Sequence, residues 1–417
     1  MEGPAPMTAA PARPAPAGSP DLLYSDIEDD LRGTVRALLA DRCPPEAVLA
    51  RVESPQPYDP ELWRLLAAEL GLAGLLVPEA LGGQGAGARE VAVVLEELGA
   101  AVAPVPFLGS AVLATSALLA CDEAAGGAAG VAGGAAGVAG GAAGVAGGAA
   151  GGTVAALLRR LAAGEVRATL AVPLAAAPGG GFPATVRADA EGRLTGRVTS
   201  VADTPGADVL VVPAVGPDGP GLYEVAAADA SVAPFTSLDL TRPLADVSFD
   251  GAAARPLPAA DPAAALEAAL LAGAGLLASE QLGLAQWCLD ETVHHLGQRH
   301  QFGRVVGSFQ SLKHRLADLW LEVVSVRAAA RAAADALATG SPDAPVAVAV
   351  AQSYAARVAV HAAEEAVQLH GGIGMTWEHP LHLRLKRAKA DEIALGTPGR
   401  HRAALAPLLH LPPPPPQ

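Results

Sequence analysis

A chain of 417 residues is long enough for several packed layers and more than one core. Hydrophobic residues make up 51% but aromatics only 3%, so the cores must be built from Ala, Leu and Val, residues that favour close-packed helices. A formal net charge of -15 excludes general affinity for nucleic acid or anionic membrane, and a polyanionic ligand would need a local basic pocket.

Residues 1–20 repeat Pro and Ala without hydrophobic period, and they read as a disordered arm with no apolar core of a signal peptide. A helical domain is expected over 21–166. Leu31, Val35, Leu38 and Leu39 share one helical face, and Pro44-Pro45 ends that element. Pro60 opens a second helix at a good first-turn position, and residues 91–98 form another, ending at Gly99. Residues 126–152 repeat Gly-Gly-Ala-Ala-Gly-Val-Ala, which has little to bury, so a flexible insertion is expected there. A phosphate-binding role is disfavoured, because no Lys-Ser/Thr follows the glycines.

A β domain is expected over 167–258. Short β-like runs at 170–172, 186–188, 193–201, 209–212, 222–225 and 247–249 are separated by Gly, Pro and Asp. Their spacing suggests a small antiparallel barrel or sandwich. A helical bundle follows over 259–411, opened by Asp261-Pro262 as cap and first residue. The apolar stretch near 268–278 is bracketed by Glu267 and Glu280, too short for a membrane span, and reads as a buried central helix. Leu312, Leu316, Leu319, Val323 and Val326 follow a helical stripe. Residues 412–417 are a Pro tail. Cys43, Cys121 and Cys288 are widely spaced, neither a disulfide framework nor a metal motif, which suits a reducing cytoplasm.

Two segments carry the chemistry. Arg299-His300-Gln301-Phe302-Gly303 runs on to Phe309-Gln310 and Ala317-Asp318. Gln368-Leu369-His370-Gly371-Gly372-Ile373-Gly374 is followed by Leu395-Gly396-Thr397. Guanidinium forks suit phosphate oxygens, and adjacent glycines let a phosphate approach backbone N–H groups. Taken singly, an Arg at a helix end or a glycine loop is more often a capping feature. Together the segments resemble the flavin-binding signatures of acyl-CoA dehydrogenases. Pro78-Glu79 with Gly82-Gly83-Gln84-Gly85 resembles an early turn of the same family, as does the order helices, strands, helices. The resemblance implies an α+β fold with an N-terminal helical domain, a central small β-barrel or sandwich and a C-terminal four-helix bundle. It also implies FAD as cofactor, with Arg299, Gln301, Phe302, Gln310, Gln368, Gly371, Gly372, Gly374 and Thr397 as cofactor-binding residues. An acyl-CoA substrate and an acceptor like electron-transfer flavoprotein come with it.

The departures are specific. In the family a carboxylate removes the acyl α-proton while the β-hydrogen passes as hydride to the flavin. The resemblance puts Leu395 and Gly273 at the two positions where relatives carry that Glu. Asp391, Glu392 and Glu280 are nearby carboxylates, for which structural or surface roles are favoured. The flavin-lining turn of relatives is matched by the apolar stretch Ala171 to Pro178. The retained residues are those that in the family reach a neighbour's FAD. The expectation is therefore one subunit of a heterotetrameric dehydrogenase whose partner supplies the base. A homotetramer with an unusual base and a non-catalytic scaffold are the alternatives. His370, His379 and His382 lack metal-site spacing, so no metal is expected. Arg384, Lys386, Arg387 and Lys389 read as a solvated helix face.

Overall fold

The computed structural model describes residues 22–56, 58–126 and 150–411. The N-terminal arm, most of the Gly/Ala repeat and the Pro tail lie outside the described residues.

The first layer is helical. Helix α1 (Asp26–Arg42) starts at a capping box: Ser25 accepts from Glu28 N–H, and the Glu28 carboxylate accepts from Ser25 N–H. It is followed by α2 (Pro45–Val52) and α3 (Pro60–Arg64), the latter capped by Asp59. Helix α4 (Ala88–Ala101) is buried along most of its length. A widened helical segment, Phe107–Ala114, runs into α5 (Thr115–Gly126), and α6 (Ala150–Ala162) completes the domain.

Eight strands follow: β1 (Ala168–Leu170), β2 (Val186–Ala188), β3 (Arg193–Ala202), β4 (Val209–Gly216), β5 (Gly219–Ala226), β6 (Ser231–Phe235), β7 (Leu244–Ala253) and β8 (Arg255–Leu257). They form one sheet in the order β6-β7-β3-β2-β4-β5-β8, with β1 added beside β4. Pairing is antiparallel except at β4, which β1 and β2 flank in parallel. The expected all-antiparallel arrangement is thus corrected at this strand. The reason lies in β4 itself: its first six residues are all buried, the reading of an interior strand rather than a half-exposed one.

The C-terminal domain is built on α7 (Pro262–Gln298), a 37-residue helix capped by Asp261. A short hairpin, β9 (His300–Gln301) and β10 (Arg304–Val305), leads to α8 (Gln310–Ala338) and α9 (Ala344–His370). Then come α10 (Leu381–Asp391) and α11 (Pro398–Leu408). Helices α7 and α9 are long and apolar enough to cross a membrane, yet most of each apolar stretch is buried inside the fold. The Ala/Gly-rich composition explains how. A Cβ on Gly283 of α7 would stand 1.9 Å from the Glu96 carbonyl, and one on Gly99 of α4 would stand 2.2 Å from the Glu280 carbonyl. The two backbones cross in contact because neither carries a side chain there.

Candidate functional site

The two motif segments meet at one end of the C-terminal bundle. Helix α7 stops at Arg299, whose carbonyl accepts from Val306 N–H at 2.7 Å and folds the hairpin back onto the helix end. Phe302 and Gly303 occupy the turn with φ of 52° and 73°, the left-handed pair that a two-residue hairpin requires. Phe302 is 87% exposed and meets Phe309 edge-on, with the Arg304 guanidinium 3.7 Å above the Phe309 ring. Gln310 opens α8 at the same end. Helix α9 arrives there too, since its last residue, His370, stacks on His295 of α7 at 4.2 Å. Gln368, Gly371 and Gly372 are exposed, and Gly374 is buried against Val367. Gly371 turns the chain with φ of 64°.

This end fits a dinucleotide phosphate. Arg299 and Gln301 are exposed, and Arg299 has no carboxylate partner among the described residues. A Cβ built on Gly371 or Gly372 would meet nothing within 4 Å, so the backbone is open to an approaching ligand. Arg299, Gln301, Phe302, Gln310, Gln368 and Gly371 to Gly374 are therefore brought together.

Thr397 is not with them. It caps α11, accepting from Arg400 N–H at 3.3 Å. Gln352 of α9 donates to the Ala394 carbonyl at 3.4 Å, and Gly371 lies nineteen residues further along that helix. At the helical rise of ~1.5 Å per residue the two groups are about 28 Å apart. The candidate residues form two half-sites.

The second half-site is closed immediately around Leu395, and a cavity of about 530 Å³ borders it at Ala177, Pro178, Glu267, Leu271, Arg400 and His401. Gly273 and Leu395 face each other: a Cβ on Gly273 would stand 2.4 Å from Leu113 Cδ2 and 3.0 Å from Leu395 Cδ1. Leu395 is fully buried with φ of 53°. Its N–H donates to the Leu174 carbonyl at 2.7 Å, and its own carbonyl accepts from His401 Nε2 at 2.9 Å. Leu174 N–H in turn donates to Ser200 at the irregular end of β3, so the apolar turn from Ala171 is clamped onto Leu395. The cavity left among Leu108, Leu113, Leu174 and Leu395 measures about 10 Å³. One carboxyl group lines it, that of Asp203, which the sequence reading did not single out. Its oxygens accept from Tyr58 O–H and, at 2.9 Å, from Gly109 N–H, and burial pushes it up.

The nearby carboxylates are committed elsewhere. Arg242 and Arg387 are buried between the sheet and the bundle with Glu280, Asp391 and Asp239. Arg242 donates to both Glu280 oxygens at 2.7 Å and to Asp391 at 2.5 Å, and Arg387 donates to Glu280, Asp239 and Thr241. Two guanidinium ions face four buried carboxyl groups when Asp203 is included. Burial raises Asp203 and, with help from Glu280, pushes Asp391 up to about 8, whereas the arginines hold Glu280 and Asp239 down. Neither Glu280 nor Asp391 reaches solvent. Glu392 meets Lys389 at 3.7 Å near the surface.

The expected solvated face of α10 is corrected. Arg384 and Arg387 are 2% and 3% exposed. Arg384 stacks on Trp287 at 3.8 Å and donates to the Ala100 carbonyl at 3.0 Å, and Arg387 belongs to the ion cluster. Only Lys386 and Lys389 keep partly solvated positions. Charge count alone is blind to this, because a guanidinium is buried whenever fixed acceptors meet its fork.

Comparison with known proteins agrees with the fold and these motifs. The acyl-CoA dehydrogenase C-terminal domain matches residues 263–409, and the N-terminal domain of the same family matches 25–125. Acyl-CoA dehydrogenase IpdE2 of Mycolicibacterium smegmatis is 35% identical over 375 residues, 90% of this chain and 96% of that protein. The ChsE4-ChsE5 complex from Mycobacterium tuberculosis contains a chain with TM-score 0.78 at 29% identity, covering 94% of this chain and 100% of that one. A variant of the Tcur3481-Tcur3483 steroid ACAD follows at TM-score 0.75 and 30% identity, covering 92% and 98%. The chain belongs to the acyl-CoA dehydrogenase family, flavoprotein oxidoreductases that act on CH–CH donors and generally bind FAD.

Proposed function

We propose that this chain is the base-less subunit of a heteromeric acyl-CoA dehydrogenase. It contributes Arg299, Gln301 and the Gly371 to Gly374 loop to the pyrophosphate and adenosine half of FAD, and the partner subunit holds the flavin ring, the acyl-CoA and the base. FAD, when bound, supplies the hydride acceptor. The observation that carries this reading is the packing at the two family base positions: Leu395, Leu113 and Gly273 pack against one another with no carboxylate among them, and the cavity beside Leu113 and Leu395 is about 10 Å³. The open phosphate-facing end, about 28 Å away, supports it from the other side. Both heteromeric relatives named above support the assembly, and the steroid ACAD among them favours a steroid-derived acyl-CoA.

The test is flavin content and single-turnover flavin bleaching by a panel of acyl-CoA thioesters, with and without a co-expressed partner carrying the Glu. One FAD per pair of unlike chains, with bleaching only in the pair, is the expected result. Bleaching by the isolated chain would favour a self-sufficient homotetramer. A pair without flavin would favour a scaffold.

A further inference from the structure

At the same end of the bundle, three ligand-type side chains converge from three elements. Glu291 lies in the last turns of α7, His370 is the last residue of α9, and His379 stands just before α10. One donor atom from each lies within 4.8 Å of the other two. His379 Nε2 is 3.9 Å from Glu291 Oε1, too long for a hydrogen bond. Two ligands bound tetrahedrally at ~2.0–2.2 Å from one zinc ion stand roughly 3.5 Å apart, so small side-chain rotations close the group around an ion.

His370 gives the strongest pointer. It is 5% exposed. Its Nδ1–H donates to the Ala366 carbonyl at 2.8 Å, which fixes the tautomer and leaves Nε2 as an acceptor. That Nε2 is buried and has no hydrogen-bond partner among the described residues. A buried acceptor is costly to leave unpaired, and a metal ion would satisfy it. Metal-binding histidines characteristically anchor the other ring nitrogen on a carbonyl or carboxylate in this way. The His295 ring, 24° from coplanar with His370, holds its plane, and the His379 ring is tilted 57° at 4.7 Å. Burial holds the His370 imidazole down to about 4, so it is neutral and able to ligate at neutral pH.

We propose that Glu291, His370 and His379 bind a divalent transition-metal ion of the zinc class, leaving a fourth position for water. Two imidazole nitrogens and one carboxylate form a borderline donor set. Calcium and magnesium want shells of oxygen, and no thiol is in the group for a softer ion. The ion ties the end of α7 to the end of α9 and the entry to α10, and so braces the loop from Gly371 to Gly374. His382 is outside the group: its ring lies 4.4 Å from Trp377.

The experiment uses the full chain, with its partner if purification requires one, stripped by chelator and dialysed. Zinc chloride is titrated calorimetrically, and cobalt(II) is followed by visible absorbance. We expect one ion per chain and tetrahedral cobalt bands. His379→Gln and Glu291→Gln, both at partly exposed positions, should each weaken zinc at least about tenfold, with unchanged circular dichroism and unchanged melting in chelator. His382→Gln should bind as wild type. Absence of zinc binding at 100-fold excess over the chain, or equal affinity in His379→Gln and wild type, overturns the proposal. Flavin content is not a readout, so this result stands apart from the FAD reading.

Discussion

Single residues decide what the closed half-site can do. Leu395 is clamped by backbone hydrogen bonds on both sides and surrounded by Leu113 and Leu174. Leu395→Glu would put a carboxyl group into this apolar contact without a partner. We expect it to destabilise the chain by at least about 2 kcal/mol in urea denaturation, and to produce no flavin bleaching by the isolated chain. Asp391 offers a second test. Its carboxyl, pushed up to about 8 by burial and by Glu280, keeps its proton where the unfolded chain, near 3.8, has lost it. The native state then binds more protons between those values, so this group's contribution to stability falls as pH rises from about 4 to about 8. Asp391→Asn keeps the carbonyl that accepts from Arg242 and has nothing to ionise. The stability difference between variant and wild type should therefore grow in the variant's favour from pH 5 to 8, by up to ~1.4 kcal/mol per unit. Taking the difference removes the opposite trend of His370, held down to about 4, which is common to both proteins. A flat difference across that range would mean that Asp391 is ionised in the native cluster.

At the scale of elements, the hairpin β9–β10 and the loop after α9 form the candidate phosphate face. Arg299 is the C-cap of α7 and its side chain is exposed, so removing it costs little packing. Arg299→Ala should leave the melting temperature within a degree or two of wild type. FAD retention by the assembled protein should drop at least about tenfold, since a charge-assisted phosphate contact contributes roughly 1.5–3 kcal/mol. Gel filtration followed by flavin absorbance checks it. The segments were legible as candidates because Arg, Phe-Gly, Gln and the glycines are close in sequence and each has its own local geometry. Their division into two half-sites was not legible. The short spacing from Gly374 to Thr397 hides a helix that runs back along α9, and Thr397 spends its hydroxyl on capping α11.

At the scale of the whole molecule, the C-terminal bundle leaves apolar surface uncovered. Trp320 and Leu321 on α8 are 54% and 56% exposed, and Phe302 and Val293 stand exposed at the nearby helix ends. A groove of about 940 Å³ runs beside Trp320, with Val293, Leu296 and Leu316 in its walls. Exposed large apolar side chains beside a groove are the features of a candidate subunit interface. Trp320→Glu should shift the assembled protein to smaller species in light scattering, with far-UV circular dichroism preserved. Unchanged mass would take α8 out of the interface.

The sequence by itself determined the order of the three regions, six strands through their β-like runs, the Pro-led starts of α3 and α7, and the presence of Gly273 and Leu395 where the family resemblance expects a Glu. These are short-range properties: periodicity, turn chemistry, and a residue type at a motif position. It did not reveal β6, β8 or the parallel neighbours of β4, because strand order depends on contacts across the sheet. Nor did it reveal that Leu113 and Leu174 seal the half-site, that Arg384 and Arg387 are buried, or that Glu291 meets His370 and His379. Those outcomes depend on how α4, α7 and α9 cross, and the α4–α7 crossing is set by backbone contact at Gly99 and Gly283. Only in three dimensions do residues 79 positions apart, Glu291 and His370, become neighbours with one unpaired nitrogen between them.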